Sequence, residues 1–217
     1  MSSLSAPNCF ISGDWIDRPL PANLVIEPSV YLESAFNFLA FYSQRDPGLI
    51  LREGTGVYDF ATFVTGPQGQ IEVGPYTCIN AAYLICNDRI TIGAHCLLGW
   101  GAIISDSWLD RNSGKAVRRA ALRAAAAHES RYLPPPTTPR PVIIEDNVWV
   151  GFEAVILSGV RLGTGCIIGC RSVIAEDVPP YAVVVGNPPR IVRWLEPDDT
   201  ADVRDQVIKS LSKKRDF

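Results

Sequence analysis

Residues 148–190 read VWVGFEAVILSGVRLGTGCIIGCRSVIAEDVPPYAVVVGNPPR, and an aliphatic side chain returns at every sixth position through most of this run. Counted from Ile144, the stretch divides into hexads: IEDNVW, VGFEAV, ILSGVR, LGTGCI, IGCRSV and IAEDVP. The first position reads Ile, Val, Ile, Leu, Ile, Ile, and the fifth reads Val, Ala, Val, Cys, Ser, Val. Such a period suits neither an amphipathic helix nor a single long strand. In a short extended segment the first and fifth positions share a face. Gly and polar residues between them supply a bend. Three such hexads close a triangle, one coil of a parallel β-helix, and successive coils stack at ~4.8 Å. Stacking buries both columns in one continuous interior. The expected fold is an all-β solenoid.

The pattern extends upstream. VGPYTC and INAAYL begin at Val73; after a slip, IGAHCL and LGWGAI begin at Ile92 and lead into Ile104. Fainter traces in VIEPSVYLES and GVYDFATFV place the start near residue 24. Between Ser105 and Pro141 the period vanishes, and it resumes at Val142, which marks a large insertion in the solenoid. Within it, KAVRRAALRAAAAH predicts a helix and YLPPPTTPRP a stiff extended return. After Trp194 the sequence predicts a short amphipathic helix, with Val203, Val207, Ile208 and Leu211 on one face. The organisation expected is an N-terminal extension (1–23), a β-helix domain (24–195, insertion 105–141) and a C-terminal helix (196–217).

Composition narrows the function. With 47% hydrophobic and 20% charged residues, the 217-residue chain can form one sizeable core. A net charge of −3 argues against a general nucleic-acid binder. No apolar run approaches the ~20 residues of a membrane span. The start, MSSLSAPNCF, lacks the basic and apolar regions of a signal peptide, so a cytoplasmic location is expected. Six cysteines form no C-x-x-C pair, and only two histidines accompany them. Cys96 and Cys166 fall in the small-residue column, which predicts buried packing rather than metal ligation. No metal is expected.

The hexads, the ending DVPPYAVVVGNPPRIVR and the interrupting insertion together resemble the hexapeptide-repeat acyltransferases, nearest the maltose and galactoside O-acetyltransferase branch. INAAYLICNDRITIGAHCLLGWGAII and RPVIIEDNVWVGFEAVILSGVRLG carry the likeness, which is close over 71–195 and loose before it. The resemblance implies a left-handed coil, a homotrimer with sites between subunits, acetyl-CoA or another acyl-CoA as co-substrate, and a small-molecule acceptor. It implies a coenzyme lying along the coils past Gly151 and Gly169, its phosphates met by Arg190 and Arg193. A histidine at the start of the insertion would act as general base, taking the proton of the attacking hydroxyl or amine.

This chain departs from that pattern. The family's histidine would fall near Ser107 or Trp108, where none stands. Of an asparagine pair, Asn80 remains and Ala82 fills the second place; a phosphate-meeting lysine is Glu176. His128, in the insertion, is a candidate replacement base, with helix termination as the alternative. His95 occupies an outward corner, where solvation or a subunit contact competes with catalysis. Asp106, where the coil breaks into the insertion, could orient a base, accept a substrate hydroxyl or simply form a turn. Asn80, Tyr83 and Trp108 are candidates for the acceptor pocket, or for a polar rung and subunit packing. From Trp108 to Arg140, seven Lys or Arg stand against two acidic residues, a net of +5, leaving −8 on the remainder. That segment could bind an anion or meet a neighbouring subunit's acidic face.

Acyl transfer is the leading expectation. A zinc hydratase on the same scaffold is disfavoured, because it needs three histidines per metal and the chain has two. A divergent trimer with different chemistry, or with a structural or regulatory role, is the alternative.

Overall fold

The computed structural model describes residues 10–107, 114–128, 138–197 and Gln206. Three sheets each take every third strand. The first stacks β1 (Leu24–Ile26), β3 (Leu49–Leu51), β6 (Gln70–Val73), β9 (Arg89–Ile92), β12 (Val142–Ile144) and β15 (Arg161–Leu162). The second runs β2 (Tyr31–Leu32), β4 (Gly56–Tyr58), β7 (Cys78–Asn80), β10 (Leu97–Leu98), β13 (Trp149–Val150), β16 (Ile167–Ile168), β18 (Ala182–Val185) and β19 (Arg190–Trp194). The third holds β5 (Thr62–Thr65), β8 (Tyr83–Cys86), β11 (Ile103–Ser105), β14 (Val155–Ile156) and β17 (Val173–Ile174).

Every pairing is parallel except β18 with β19. The chain visits the three sheets in turn, so β6, β7 and β8 form one coil and β9, β10 and β11 the next. This is the three-sided coil that the hexads demand.

The two columns are the core. Ile144, Val150, Ile156, Leu162, Ile168 and Ile174 are buried, and so are Val148, Ala154, Val160, Cys166, Ser172 and Val178 between them. Each large aliphatic side chain taken from water contributes roughly 1.5–3 kcal/mol. The slip after Val73 has a structural origin. Leu84 pairs with Ile104 and Ile79 with Leu98, so one coil turns its corner in five residues where the next takes six. Ala82 sits at that tight corner, wholly buried.

The fourth hexad position makes the turn. Tyr76, His95 and Asn147 take left-handed φ values of 55°, 58° and 59° at successive corners. The second position explains the glycines. A Cβ on Gly151 would stand 2.7 Å from the Cys170 nitrogen and 2.8 Å from the Ile168 oxygen, both backbone atoms of the next coil. Gly151→Ala is therefore expected to lower stability by about 2 kcal/mol through overpacking. Thermal and urea denaturation would measure it; an unchanged midpoint would contradict this account of coil spacing.

At the N-terminal end, a 3-10 turn at Ala35–Phe38 takes the place of a strand on the third side. Phe38 stacks on Phe63 with ring centroids 5.5 Å apart and closes the core there. Between β11 and β12 in chain order lies α1 (Lys115–Ala127), which buries only Ala125. The predicted C-terminal helix and Trp108 lie outside the described residues, apart from the helical Gln206. Among the described residues, no helix is long and apolar enough to cross a membrane.

Candidate functional site

The insertion leaves the coil where the third sheet turns back to the first, directly after β11. Asp106 stands at this corner with none of its surface exposed. Its carboxylate accepts the Asn87 N–H at 2.9 Å and the Asp88 N–H at 2.7 Å. Burial pushes its carboxyl above the usual range, against the lowering pull of those amides. The Asn87 side chain donates to the Ser107 hydroxyl at 2.6 Å. The far end of the insertion returns to the same point, where the Arg140 N–H donates to the Asp106 carbonyl at 2.8 Å. The Arg140 guanidinium also donates to the Ser158 carbonyl at 2.6 Å. The insertion is thus a closed loop pinned at its root, and Asp106 holds the neighbouring corner in register. Sequence reasoning missed Asn87, although Asn-Asp between two hexad runs is a turn signal.

Asn80 and Tyr83 lie at a different corner, where the second sheet turns into the third. Asn80 ends β7 half-buried, and the Cys78 thiol approaches its amide oxygen at 3.6 Å. Tyr83 begins β8 and is exposed. One strand length, ~10 Å, separates this pair from Asp106. The same edge carries Trp100, whose indole N–H donates to Asp59 at 2.8 Å and whose ring meets Phe152 edge-on at 5.2 Å. His95 stands at the remaining corner, stacked on Tyr76 at 5.4 Å. His128 is the exposed C-cap of α1. No described residue at the root of the insertion is a histidine.

Arg190 and Arg193 are exposed on β19, the antiparallel return that the GNPPR turn creates. Arg190 lines a groove of about 160 Å³ with Glu176, Asp177, Ile174, Val184 and Ile191. Going from β10 to β19 crosses four strand spacings, roughly 19 Å, so only an extended molecule could touch both ends. Gly151 and Gly169 lie between, on β-helix corners where a side chain would strike the next coil. A wider concavity of about 450 Å³ runs along α1 beside Lys115, Arg118, Arg119, Leu122, Arg123 and Ala126.

Cys78, Cys86 and Cys166 offer no activated thiol. Burial pushes the Cys166 thiol up to about 12, and raises Cys86 and Cys78 as well. Among the described residues, no three His, Cys, Asp or Glu side chains converge as a metal site.

The three-sided parallel coil sets the class of fold. Residues 141–176 match the signature described as bacterial transferase hexapeptide (six repeats). A hexapeptide-repeat-containing acetyltransferase from Vibrio cholerae O1 biovar eltor, solved with acetyl-CoA, is 30% identical with a TM-score of 0.54. That match covers 69% of this chain and 72% of the other. The chain belongs to the hexapeptide-repeat transferase family. A chloramphenicol acetyltransferase of Agrobacterium fabrum is 33% identical over 121 residues, covering 52% of this chain and 55% of the relative. A tetrahydropyridine-dicarboxylate N-acetyltransferase of Staphylococcus aureus is 38% identical over 81 residues, 37% of this chain and 33% of the relative. The chain thus spans about half and a third of these two relatives. A galactoside acetyltransferase solved with coenzyme A, 22% identical with a TM-score of 0.50 over 67% of each chain, shares the fold.

Proposed function

We propose that this protein moves an acetyl or other acyl group from a CoA thioester to a hydroxyl or amine of a small molecule. The observation that carries this reading is the likeness of the three-sided coil, over more than two thirds of both chains, to an acetyltransferase solved with acetyl-CoA. The coil is left-handed in this reading, and residues 24–195 form the domain. The protein works as a homotrimer. An exposed apolar column on the second sheet, Leu97 and Trp149 with Trp100 and Phe152 beside it, supports such a contact.

The acyl-CoA lies along the coils past Gly151 and Gly169, with Arg190 and Arg193 on its phosphates. Asn80, Tyr83 and Trp108 face the acceptor. His128 is the base: it takes the acceptor's proton as oxygen or nitrogen attacks the thioester carbonyl carbon. The C–S bond then breaks, and the leaving thiolate takes the proton back. Asp106 acts from within the wall, by fixing the corner from which the insertion springs. Relatives named for chloramphenicol and for a tetrahydropyridine dicarboxylate differ widely in acceptor, so the acceptor is left as a small molecule. Glu176 in the Arg190 groove favours one second reading, a divergent trimer that does not catalyse.

The test is release of free thiol from acetyl-CoA with a panel of hydroxyl and amine acceptors. Arg190→Ala and Arg193→Ala are each expected to raise the KM for acetyl-CoA about tenfold or more, as loss of a charge-assisted contact does. His128→Ala is expected to lower kcat by a factor on the order of 10² or more. Unchanged KM in both arginine variants would remove them from the coenzyme site.

A further inference from the structure

We infer that α1 docks on a second copy of this chain, its cationic stripe lying against the acidic edge where the first sheet turns into the second. The inference rests on the oligomeric reading above and adds the contact that orders the insertion. Lys115, Arg118, Arg119, Leu122 and Arg123 recur at helical spacing and share one face. Among the described residues, none of these cations has an ion-pair partner, whereas Arg52, Arg161 and Arg171 each do. The stripe also runs against local preference. No acidic residue stands in the first turn and no side chain caps Gly114, so Lys115 and Arg118 oppose the helix dipole. Leu122, in the middle of the stripe, is 57% exposed. A small anion would answer the charge and leave that side chain in water; a protein surface answers both.

The complement is on the same molecule. Along the edge from β1 to β12 stand Glu27, Glu53, Glu72, Glu145 and Asp146, against Arg52 and Arg161. The surplus is negative, as it is for the whole chain outside the insertion. Within one chain the two surfaces share no ion pair among the described residues. A neighbouring copy is the occupant that supplies the missing carboxylates.

Lys115 is the only lysine before residue 209, which makes zero-length carbodiimide coupling specific. Equal amounts of ¹⁴N and ¹⁵N protein, mixed through a reversible dissociation step, would be coupled and analysed by mass spectrometry beside light scattering. Expected are mixed-isotope peptides joining Lys115 to Glu53, Glu72, Glu145 or Asp146. Their yield should fall at least tenfold in R118E/R119E/R123E, whose exposed positions leave the β-helix folded by circular dichroism. An oligomer that couples Lys115 only within one chain, or not at all, overturns the docking while leaving acyl transfer untouched. A monomer by light scattering overturns it together with the oligomeric reading. Acetyl-CoA binding measured on the same samples reports on that reading's catalytic half separately.

Discussion

Phe63→Ala is expected to lower the stability of this protein by about 3–5 kcal/mol, the range for deleting a fully buried aromatic ring. Phe63 sits on β5 with no exposed surface and stacks on Phe38, which anchors the 3-10 turn standing in for a strand. Removing the ring leaves a cavity and also unseats the element that closes the N-terminal end of the core. A repeat structure communicates such damage only to its neighbours. Hydrogen exchange should therefore show protection lost around β2, β4 and β5 before β13 to β16. Chemical denaturation gives the total; a loss under about 1 kcal/mol would mean that this end contributes little to the core.

Asp106→Asn is the second large effect, a loss of roughly 3 kcal/mol expected from a buried amide facing backbone N–H donors that it cannot all satisfy. Its pH dependence is distinctive. Burial raises the Asp106 carboxyl above its ordinary 3.8, so the folded state holds the proton more readily than the unfolded chain. The group's contribution is then fully present below the unfolded value and is lost as pH rises through the folded one. The stability gap between wild type and variant should accordingly be wider at about pH 4 than at about pH 7. Paired urea titrations at the two pH values check this. A gap that narrows in acid would show that the amides outweigh burial. The same variant loosens the root of the insertion, so kcat is expected to fall while the KM for acetyl-CoA holds.

What could be read from the sequence divides along physical lines. The two columns of the hexad are side-chain patterns, and they predicted the coil, its core and the buried cysteines at 96 and 166. The fainter trace in VIEPSVYLES overlaps β1 (Leu24–Ile26) and β2 (Tyr31–Leu32) for the same reason. The five-residue corner at Ala82 was not legible, because shortening a turn leaves the apolar period almost intact. The site was less legible than the fold. Asp106 could be placed at the break in the pattern, yet whether its carboxylate faced solvent depended on which amides the neighbouring coil presented. Asn87, on that coil, is distant in sequence from the residue that it orients. The cations of α1 stood out by composition alone; that no carboxylate in the described part of the chain meets them needed the coordinates.

The proposed function requires an acyl-CoA to lie along this coil, held through the arginines of β19. The direct measurement is the melting temperature of the full chain with and without acetyl-CoA, repeated with CoA. At one hundred times the dissociation constant, a ligand bound only by the native state adds about 2.7 kcal/mol, a shift of several degrees. The account predicts that shift in the wild type and its loss in the Arg190→Ala, Arg193→Ala double variant. A transition that neither ligand moves, at any concentration up to millimolar, would contradict it.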